Sequence, residues 1–285
     1  MKKLLALTAF LMLAFLFTTC DKIDGPFYII PENEDVTVNF PELDPSSVYR
    51  KILFEEFTGH RCTNCPDGHL KLEELQERYG DTLVAVGIHF GALAKPVGET
   101  FSYDFRTEAG NRIGEAYAID AIPAAIINRN DKEGGWPRSQ WLSVVPTIDR
   151  TKPTAAIQMI NEYDEISKTL KANVKVTMLE NYNASLSLVL LLIEDGIVKP
   201  QKDGDHDVLD YVHNHVLRAN FTDPFGYVLR NGSVDWTAGE ELTYASTINF
   251  SETDWNPANC SVVAFLLDPI NMDVLQVEKL EVLSR

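Results

Sequence analysis

The chain has 285 residues, 45% of them hydrophobic and 24% charged, with a formal net charge of −17 at pH 7. This composition is typical of a globular protein, and the length allows two domains with their own cores. The acidity argues against nucleic acid and anionic lipid surfaces as partners, because both carry negative charge.

The first twenty residues have the pattern of an export signal. Lys2 and Lys3 precede a nearly continuous apolar run over 4–17, and Cys20 follows two threonines. The run is too short for a comfortable membrane span, so residues 1–20 are predicted to be a secretory signal peptide with a lipobox-like end. A cysteine at this place favours a lipoprotein whose mature chain begins at a lipidated Cys20, with an ordinary signal peptide as the alternative.

A polar, proline-bearing stretch over 21–40 is predicted to be a tether, with an edge strand at 36–40. Residues 41–150 then alternate apolar strands with helices, which predicts an α/β sheet with helices on its faces. The predicted strands are 52–57, 82–90 and 124–128, the predicted helices are 66–79, 103–117 and 139–149, and a loop or hairpin is predicted at 130–135.

From residue 151 onward the pattern changes to period two. Apolar residues alternate with polar ones over 174–178, and the next run places Leu186, Leu188, Leu190 and Leu192 on one face. Strands with turn signals and no convincing helix predict a β-sandwich of immunoglobulin type over 151–285. Further strands are predicted at 216–221, 242–250, 260–267 and 274–282.

The motif Cys62-Thr63-Asn64-Cys65 lies where the first strand gives way to the first helix. Two cysteines three residues apart at a helix start face the same way and lie within disulfide reach. The positive end of the helix dipole favours a thiolate at Cys62, and His60 and Arg61 are predicted to add positive or polar character. Cys62 is expected to be exposed and Cys65 more buried.

These residues resemble the active-site strand and turn of thioredoxin and protein disulfide isomerase domains. Glu56-Phe57 precedes the dithiol as in that family, and the segment from Tyr117 to Pro123 is similar to the one that carries its cis-proline. The resemblance implies that Cys62 is the nucleophile, Cys65 the resolving cysteine, and Glu56 a buried acid that moves the proton of Cys65. Pro123 would offer a backbone edge to an extended substrate. Thr63-Asn64 and Arg61 depart from the family pattern and leave the redox direction open.

The sequence therefore predicts an α/β thioredoxin-like domain followed by an all-β immunoglobulin-like sandwich. This layout, with Tyr211-Val212-His213-Asn214-His215-Val216-Leu217-Arg218 in the second half, resembles the Bacteroidetes lipoproteins related to the twenty-eight-kilodalton outer membrane protein. The resemblance implies a lipid-anchored protein of the cell envelope, in the outer membrane. The expected partners are thiols or disulfides of exported proteins and a redox partner in the membrane, and no cofactor is expected.

The alternative function is a binding or adhesin-like lipoprotein in which the cysteine pair is a structural disulfide. Zinc at Cys62 and Cys65 with His60 and His69 is a weaker interpretation, since no second ligand motif follows. Cys260 lies in a strand-like apolar run and is expected to be a buried, inert thiol.

The second half contains a further group of polar residues. Asp203, Asp205 and Asp207 resemble the start of a calcium loop but lack its glycine and distal glutamate, so a solvated acidic turn is favoured. His206, His213 and His215 could bind a metal or a partner, or simply be hydrogen-bonded. Four aromatic residues are expected to pack in the core or in turns rather than to bind sugar: Phe221, Phe225, Trp236 and Trp255.

Overall fold

The structure is a computed structural model that describes residues 33–130, 133–150, 153–230 and 235–283. The predicted signal peptide, Cys20 and most of the predicted tether lie outside these residues. The helices in the described ranges are all too short or too polar to span a bilayer.

Strands far outnumber helices. The α-helices are α1 (Cys65–Tyr79), α2 (Glu108–Ala116) and α3 (Trp141–Val144), with 3₁₀ turns at Pro45–Ser47, Gly80–Thr82, Ala92–Ala94, Arg138–Gln140, Val145–Thr147 and Pro257–Asn259. The strands are β1 (Ile52–Thr58), β2 (Leu83–His89), β3 (Ala124–Ile127), β4 (Trp136–Pro137), β5 (Ala155–Asp164), β6 (Thr169–Met178), β7 (Tyr182–Asn183), β8 (Ser187–Glu194), β9 (Ile197–Val198), β10 (Gln201–Asp203), β11 (His206–Val208), β12 (Val212–His213), β13 (Val216–Asn220), β14 (Tyr227–Val228), β15 (Asp235–Trp236), β16 (Glu241–Asn249), β17 (Cys260–Asp268) and β18 (Asp273–Glu281).

The mixed α/β first half is confirmed, with two of its helices shorter than predicted. Thr107 begins α2, because its side chain accepts a hydrogen bond from Gly110 N and so caps the helix four residues after the predicted start. The predicted helix at 139–149 is broken into a 3₁₀ turn, α3 and a second 3₁₀ turn, since Pro146 cannot donate a helical hydrogen bond. The predicted edge strand at 36–40 is wrong, as these residues form no strand.

A single sheet runs through both halves of the chain. Among the described residues its order is β18-β17-β8-β13-β2-β1-β3-β4, with β14 beside β8. In the first half β2 runs parallel to β1, and β3 runs antiparallel to it. The strand β13 from the second half pairs parallel with β2, at Val216 opposite Gly87. One continuous sheet therefore contains strands from both sides of the predicted domain boundary at residue 150.

The core consists of three apolar clusters arranged on the faces of this sheet. A three-stranded sheet, β16-β6-β5, packs on one face of β8 and β17, where Leu188, Leu190 and Leu192 lie. The opposite face of β8 carries Val189 and Leu191, which pack with α2 and with residues of β1 and β2. The third cluster lies between the other face of β1 and the helices α1 and α3. Because both faces of β8 are covered, the strand is apolar at nearly every position rather than alternating.

Leu191→Ala tests whether the two halves share one core. Leu191 is fully buried in the cluster that contains residues from both halves, so truncation should lower the free energy of unfolding by about 2–5 kcal/mol. Urea titration followed by circular dichroism should show one transition displaced as a whole. Leu209→Ala is the control, because Leu209 is 64% exposed and its loss should change stability by roughly 0.5 kcal/mol or less. Two separate transitions would contradict a shared core.

Candidate functional site

The end of β1 and the start of α1 hold the two cysteines together. Cys62 N donates to Gly59 O at 2.9 Å, and Cys65 N donates to Cys62 O at 3.3 Å, which forms a tight turn before the helix. Cys62 and Cys65 form a disulfide with Cα atoms 5.4 Å apart, in the usual range for such a bond. A Cβ on Gly59 would lie 2.8 Å from the backbone of Leu93, so only glycine fits at the start of the turn.

The expectation that Cys62 is exposed is wrong. Cys62 is 2% exposed and Cys65 is fully buried. The hairpin formed by β10 and β11, residues 201–208, lies on the dithiol turn, and we call it the covering hairpin. Its backbone donates two hydrogen bonds to the turn, one from Lys202 N to His60 O at 2.8 Å and one from Gly204 N to Thr63 O at 3.0 Å.

One side chain of the covering hairpin reinforces this contact. Gln201 is fully buried, and its Nε2 donates to Cys62 O at 3.0 Å and to Gly59 O at 3.3 Å. The hairpin thus uses both backbone and side-chain donors to satisfy carbonyls of the dithiol turn. These donors join the covering hairpin to the backbone on both sides of Cys62.

Pro123 and Glu56 lie on the inner side of the disulfide. The Ile122–Pro123 peptide bond is cis, and Cys62 Sγ lies 3.8 Å from Ile122 O. Glu56 is 3% exposed, and its Oε1 has no hydrogen-bond partner within the described ranges. A Cβ on Gly68 would lie 3.1 Å from Glu56 Oε1 and 3.1 Å from Pro123 Cβ. Gly68 therefore lets the first turn of α1 rest directly on the buried carboxyl and on the proline.

Burial controls the charge of the groups around this carboxyl. It raises the pKa of Glu56 well above its ordinary value, because a buried carboxylate loses its hydration. It lowers the pKa of His60 to about 4, with a further lowering from Arg61. His60 is therefore neutral at physiological pH and does not supply the positive charge expected of it. The Arg61 guanidinium donates to the carbonyls of Ala92 and Lys95 at 3.1 Å.

Five of the six histidines of the sequence gather behind the disulfide. A cavity of about 30 Å³ is lined by Glu56, Thr58, Tyr211 and the histidines at 69, 89, 213 and 215. His60 lies beside this group, with its ring 6.4 Å from that of His89. The histidine rings stack on or tilt against Phe101 and Phe105, which keeps the region largely apolar.

His213 and His215 belong to this cluster, whereas His206 does not. His213 is buried, its ring centre is 5.6 Å from that of His89, and burial lowers its pKa to about 4. His215 has a positive φ of 56° and pairs with Asp195 at 3.0 Å. His206 is exposed on the covering hairpin. No group of three or more His, Cys, Asp or Glu in the described ranges is arranged to hold a metal ion.

The other residues singled out in the sequence lie in the core. Cys260 is a buried free thiol, and burial raises its pKa, as expected of an inert cysteine. Phe221, Trp236 and Trp255 pack in the core cluster between the two sheets. Phe225 lies 5.7 Å from the guanidinium groups of both Arg112 and Arg129.

Sequence reasoning missed the contribution of the second half to the site. Gln201, Tyr211 and His213 follow the dithiol by about 140 residues, and nothing in local spacing connects them to it. The sequence signal that could have pointed to them is the short segment Tyr211-Val212-His213-Asn214-His215, whose polar and aromatic residues do not fit a simple sandwich strand.

A family model described as outer membrane protein Omp28 matches residues 111–284, which begin after the dithiol. HBP35 of *Porphyromonas gingivalis* superposes with a TM-score of 0.62 at 16% identity, over 82% of this chain and 76% of that one. Protein AGR_C_4864 from *Agrobacterium tumefaciens* has a TM-score of 0.49 at 11% identity, over 84% and 97% of the two chains. A domain of the outer membrane lipoprotein Omp28 from *P. gingivalis* has a TM-score of 0.29 at 22% identity, over 48% and 93%. No curated protein matches the sequence.

Glu56→Gln should stabilise the oxidised protein at neutral pH. The raised pKa means that the folded state holds the Glu56 proton more tightly than the unfolded state. The stability that the protonated group contributes is therefore complete below its ordinary pKa of 4.5 and is lost as pH rises towards the folded pKa. Each unit of that shift corresponds to about 1.4 kcal/mol. Melting temperatures from pH 4 to pH 8 should show a gain for the variant that grows with pH.

Glu77→Gln is the control, because Glu77 is an exposed glutamate on α1, the helix whose first turn lies on Glu56. It should follow the wild-type melting curve at every pH. A gain for Glu56→Gln that is equal at pH 4 and pH 8 would contradict a buried, protonated Glu56.

Proposed function

Because the chain belongs to the Omp28 family of outer membrane proteins, we propose that it is an outer-membrane lipoprotein that exchanges disulfides with exported proteins through Cys62 and Cys65. Membership of the family gives the location in the cell envelope, at the outer membrane. The matched region does not include Cys62 and Cys65, so the redox proposal depends on the geometry of the site.

The observation that carries the proposal is a disulfide at the N-terminus of a helix whose first turn lies on a buried carboxyl group with no hydrogen bond at Oε1. The helix dipole stabilises a thiolate at Cys62, and Glu56 is placed on the inner side to exchange a proton. The strand order β2-β1-β3-β4, with β3 antiparallel to β1, supports a thioredoxin-like first half. The two sheets that face each other around the leucines of β8 support an immunoglobulin-like sandwich in the second half.

In the exchange a client thiolate attacks Cys62 Sγ, and a new S–S bond forms between the client and Cys62. The Cys62–Cys65 bond breaks, and Cys65 leaves with the electron pair and takes a proton from Glu56. The reverse sequence transfers the disulfide to a client dithiol. A redox partner in the membrane would restore the starting oxidation state. The covering hairpin must release the turn before either direction can proceed.

The alternative is a non-catalytic binding lipoprotein in which the disulfide is structural. The burial of Cys62 beneath the covering hairpin favours it, because a covered disulfide is protected from attack. In that case the sandwich would carry the binding function, and the cysteine pair would fix the start of α1.

Single cysteine variants distinguish the two functions. Cys65→Ala leaves the attacking cysteine and removes the resolving one, so it should accumulate mixed disulfides with envelope proteins. Cys62→Ala should accumulate almost none, because in the proposed exchange only Cys62 bonds the client and Cys65 acts after it. Non-reducing gels of alkylated cell extracts, with the double cysteine variant as the baseline, measure both. Equal trapping by the two variants, or none by either, would favour the structural disulfide.

The role of the covering hairpin can be measured in the same assay. Gln201→Ala, added to Cys65→Ala, removes two hydrogen bonds to the dithiol turn and should increase the trapped fraction. Gln158→Ala is the matched control, since its side chain bonds Pro41 O far from the site. An unchanged yield with Gln201→Ala would mean that the hairpin does not limit access.

The lipid anchor remains a proposal based on the sequence, because Cys20 lies outside the described residues. A lipidated Cys20 would hold the protein at the membrane without a spanning helix. Labelled palmitate should be incorporated into the wild-type chain and lost in Cys20→Ala. Continued labelling of the variant would count against the anchor.

A further inference from the structure

A chain of polar groups leads from the buried Glu56 towards the surface. The Nε2 atom of His69 lies 3.7 Å from Glu56 Oε1 and 3.0 Å from Thr58 Oγ1. The opposite ring atom, His69 Nδ1, lies 2.5 Å from the Tyr211 hydroxyl. Tyr211 is partly buried, as His69 is, and it lies between the exposed residues Asp210 and Val212.

Glu56 needs such a chain if it exchanges protons during turnover. Its carboxyl lies under the first turn of α1, and its Oε1 atom has no hydrogen-bond partner in the part of the chain that the structure describes. A group sealed in this way reaches solvent protons only through neighbouring donors and acceptors. His69 is the titratable side chain that contacts both Glu56 and a group nearer the surface.

Imidazole is suited to this transfer, because the neutral ring accepts a proton on one nitrogen and donates one from the other. Burial, followed by the nearby His213 and His215, lowers the pKa of His69 to about 3, so the ring is neutral at physiological pH. The adjoining cavity of about 30 Å³ is lined by both Glu56 and His69 and is large enough for one water molecule.

We propose that His69 and Tyr211 relay protons between Glu56 and solvent during disulfide exchange at Cys65. This inference rests on the proposed redox function and deepens it. When the Cys62–Cys65 bond breaks, the Cys65 thiolate takes the proton of Glu56. His69 passes one proton from Nε2 to Glu56 and takes one at Nδ1 from Tyr211, which takes one from a solvent hydronium ion. One proton from solvent is thus consumed for each thiolate that leaves, and the opposite direction releases it.

Several other charged or titratable groups face this path. His89 from β2 and His213 and His215 from the second half line the same cavity. Burial, followed by Glu56, Glu73 and Asp203, raises the pKa of Tyr211, so its hydroxyl keeps its proton at physiological pH. The carboxylates of Glu73 and Asp203 near Tyr211 favour a positive charge on the path, whereas His213 and His215 disfavour one at His69.

The relay gives the second half a part in the chemistry. His69 comes from α1, but Tyr211 precedes β12 and is held by the segment between the covering hairpin and β13. Lys199 N donates to Tyr211 O at 3.0 Å, which fixes the backbone beside the tyrosine ring. A thioredoxin-like half without this segment would lack the outer step of the path.

Tyr211→Phe keeps the ring and removes the proton that the relay needs. The test uses the purified full-length oxidised protein and dithiothreitol, with free thiols counted by alkylation and mass spectrometry in H₂O and in D₂O. Rates are divided by the dithiothreitol thiolate concentration from pH 6 to pH 9. The variant should be reduced about tenfold more slowly than wild type at pH 7, a modest share of what proton transfer contributes in enzymes. The ratio of the rates in H₂O and in D₂O should also differ between Tyr211→Phe and wild type.

Two further variants separate a relay from a structural role. Tyr182→Phe removes another partly buried tyrosine hydroxyl, one bonded to Asp268 at 2.7 Å in the second half, and should leave the reduction rate unchanged. His69→Ala should be slow, and added imidazole should restore its rate in a saturable way, because free imidazole can occupy the space of the lost ring. If the His69 ring only packs against its neighbours, added imidazole should not restore the reduction rate of His69→Ala.

The combined results distinguish failure of the relay from failure of the redox function. If Cys65→Ala traps clients while Tyr211→Phe matches Tyr182→Phe in rate, pH profile and isotope effect, the relay is wrong and the redox function stands. If Cys65→Ala traps no client, the redox function fails, and the relay fails with it. Circular dichroism and melting temperature of each variant must match wild type, and His69→Ala with imidazole provides the answer if Tyr211→Phe is misfolded.

Discussion

The pairing of β13 with β2 is the contact on which the rest of the structure depends. Gly87 N donates to His215 O at 2.7 Å, and this bond joins a strand of the second half to the sheet of the first. A Cβ on residue 87 would lie 3.4 Å from the carbonyl oxygens of Asn214 and His215, which is an ordinary van der Waals contact, so the backbone pairing and not the glycine holds the two strands together. With β13 held there, the residues just before it can only lie beside the dithiol.

A buried ion pair supports the same junction from the other side of the sheet. Arg129 and Glu55 are both fully buried, with Nη2 and Oε1 2.8 Å apart, and Arg129 Nη1 also donates to Pro224 O. The guanidinium group lies over the ring of Phe265 at 4.7 Å. The arginine therefore links β1 with the segment after β13 and with β17. Replacing one partner alone would leave a buried charge unpaired, which is far more costly than losing the pair.

The junction explains why the dithiol is both supported and covered by the second half. The covering hairpin satisfies carbonyls of the turn that water or a client would otherwise bond. The same segment brings Tyr211 and His213 to the cavity that Glu56 and His69 also line. The proposed exchange would depend on two separate variables, the position of the covering hairpin over the dithiol turn and the groups that surround Glu56.

The sequence alone determined the elements whose residues interact locally. The strand that leads to the dithiol, the helix that follows it and the disulfide spacing of Cys62 and Cys65 all depend on neighbours within a few residues. The leucines at alternate positions of β8 likewise identified the face that packs against the β16-β6-β5 sheet. Errors arose where a single side chain overrode the pattern, as when Thr107 capped α2 and when Pro146 interrupted the last predicted helix.

Only the tertiary structure decided what surrounds the dithiol. The apolar residues on the second face of β8, such as Val189 and Leu191, could not show that the first half packs against them. The burial of Cys62 depends on a hairpin about 140 residues later in the chain, and the contact between His69 and Tyr211 spans a similar separation. Such contacts form because the shared sheet brings distant backbone segments together, and sheet pairing leaves no periodic trace in the loops that it juxtaposes.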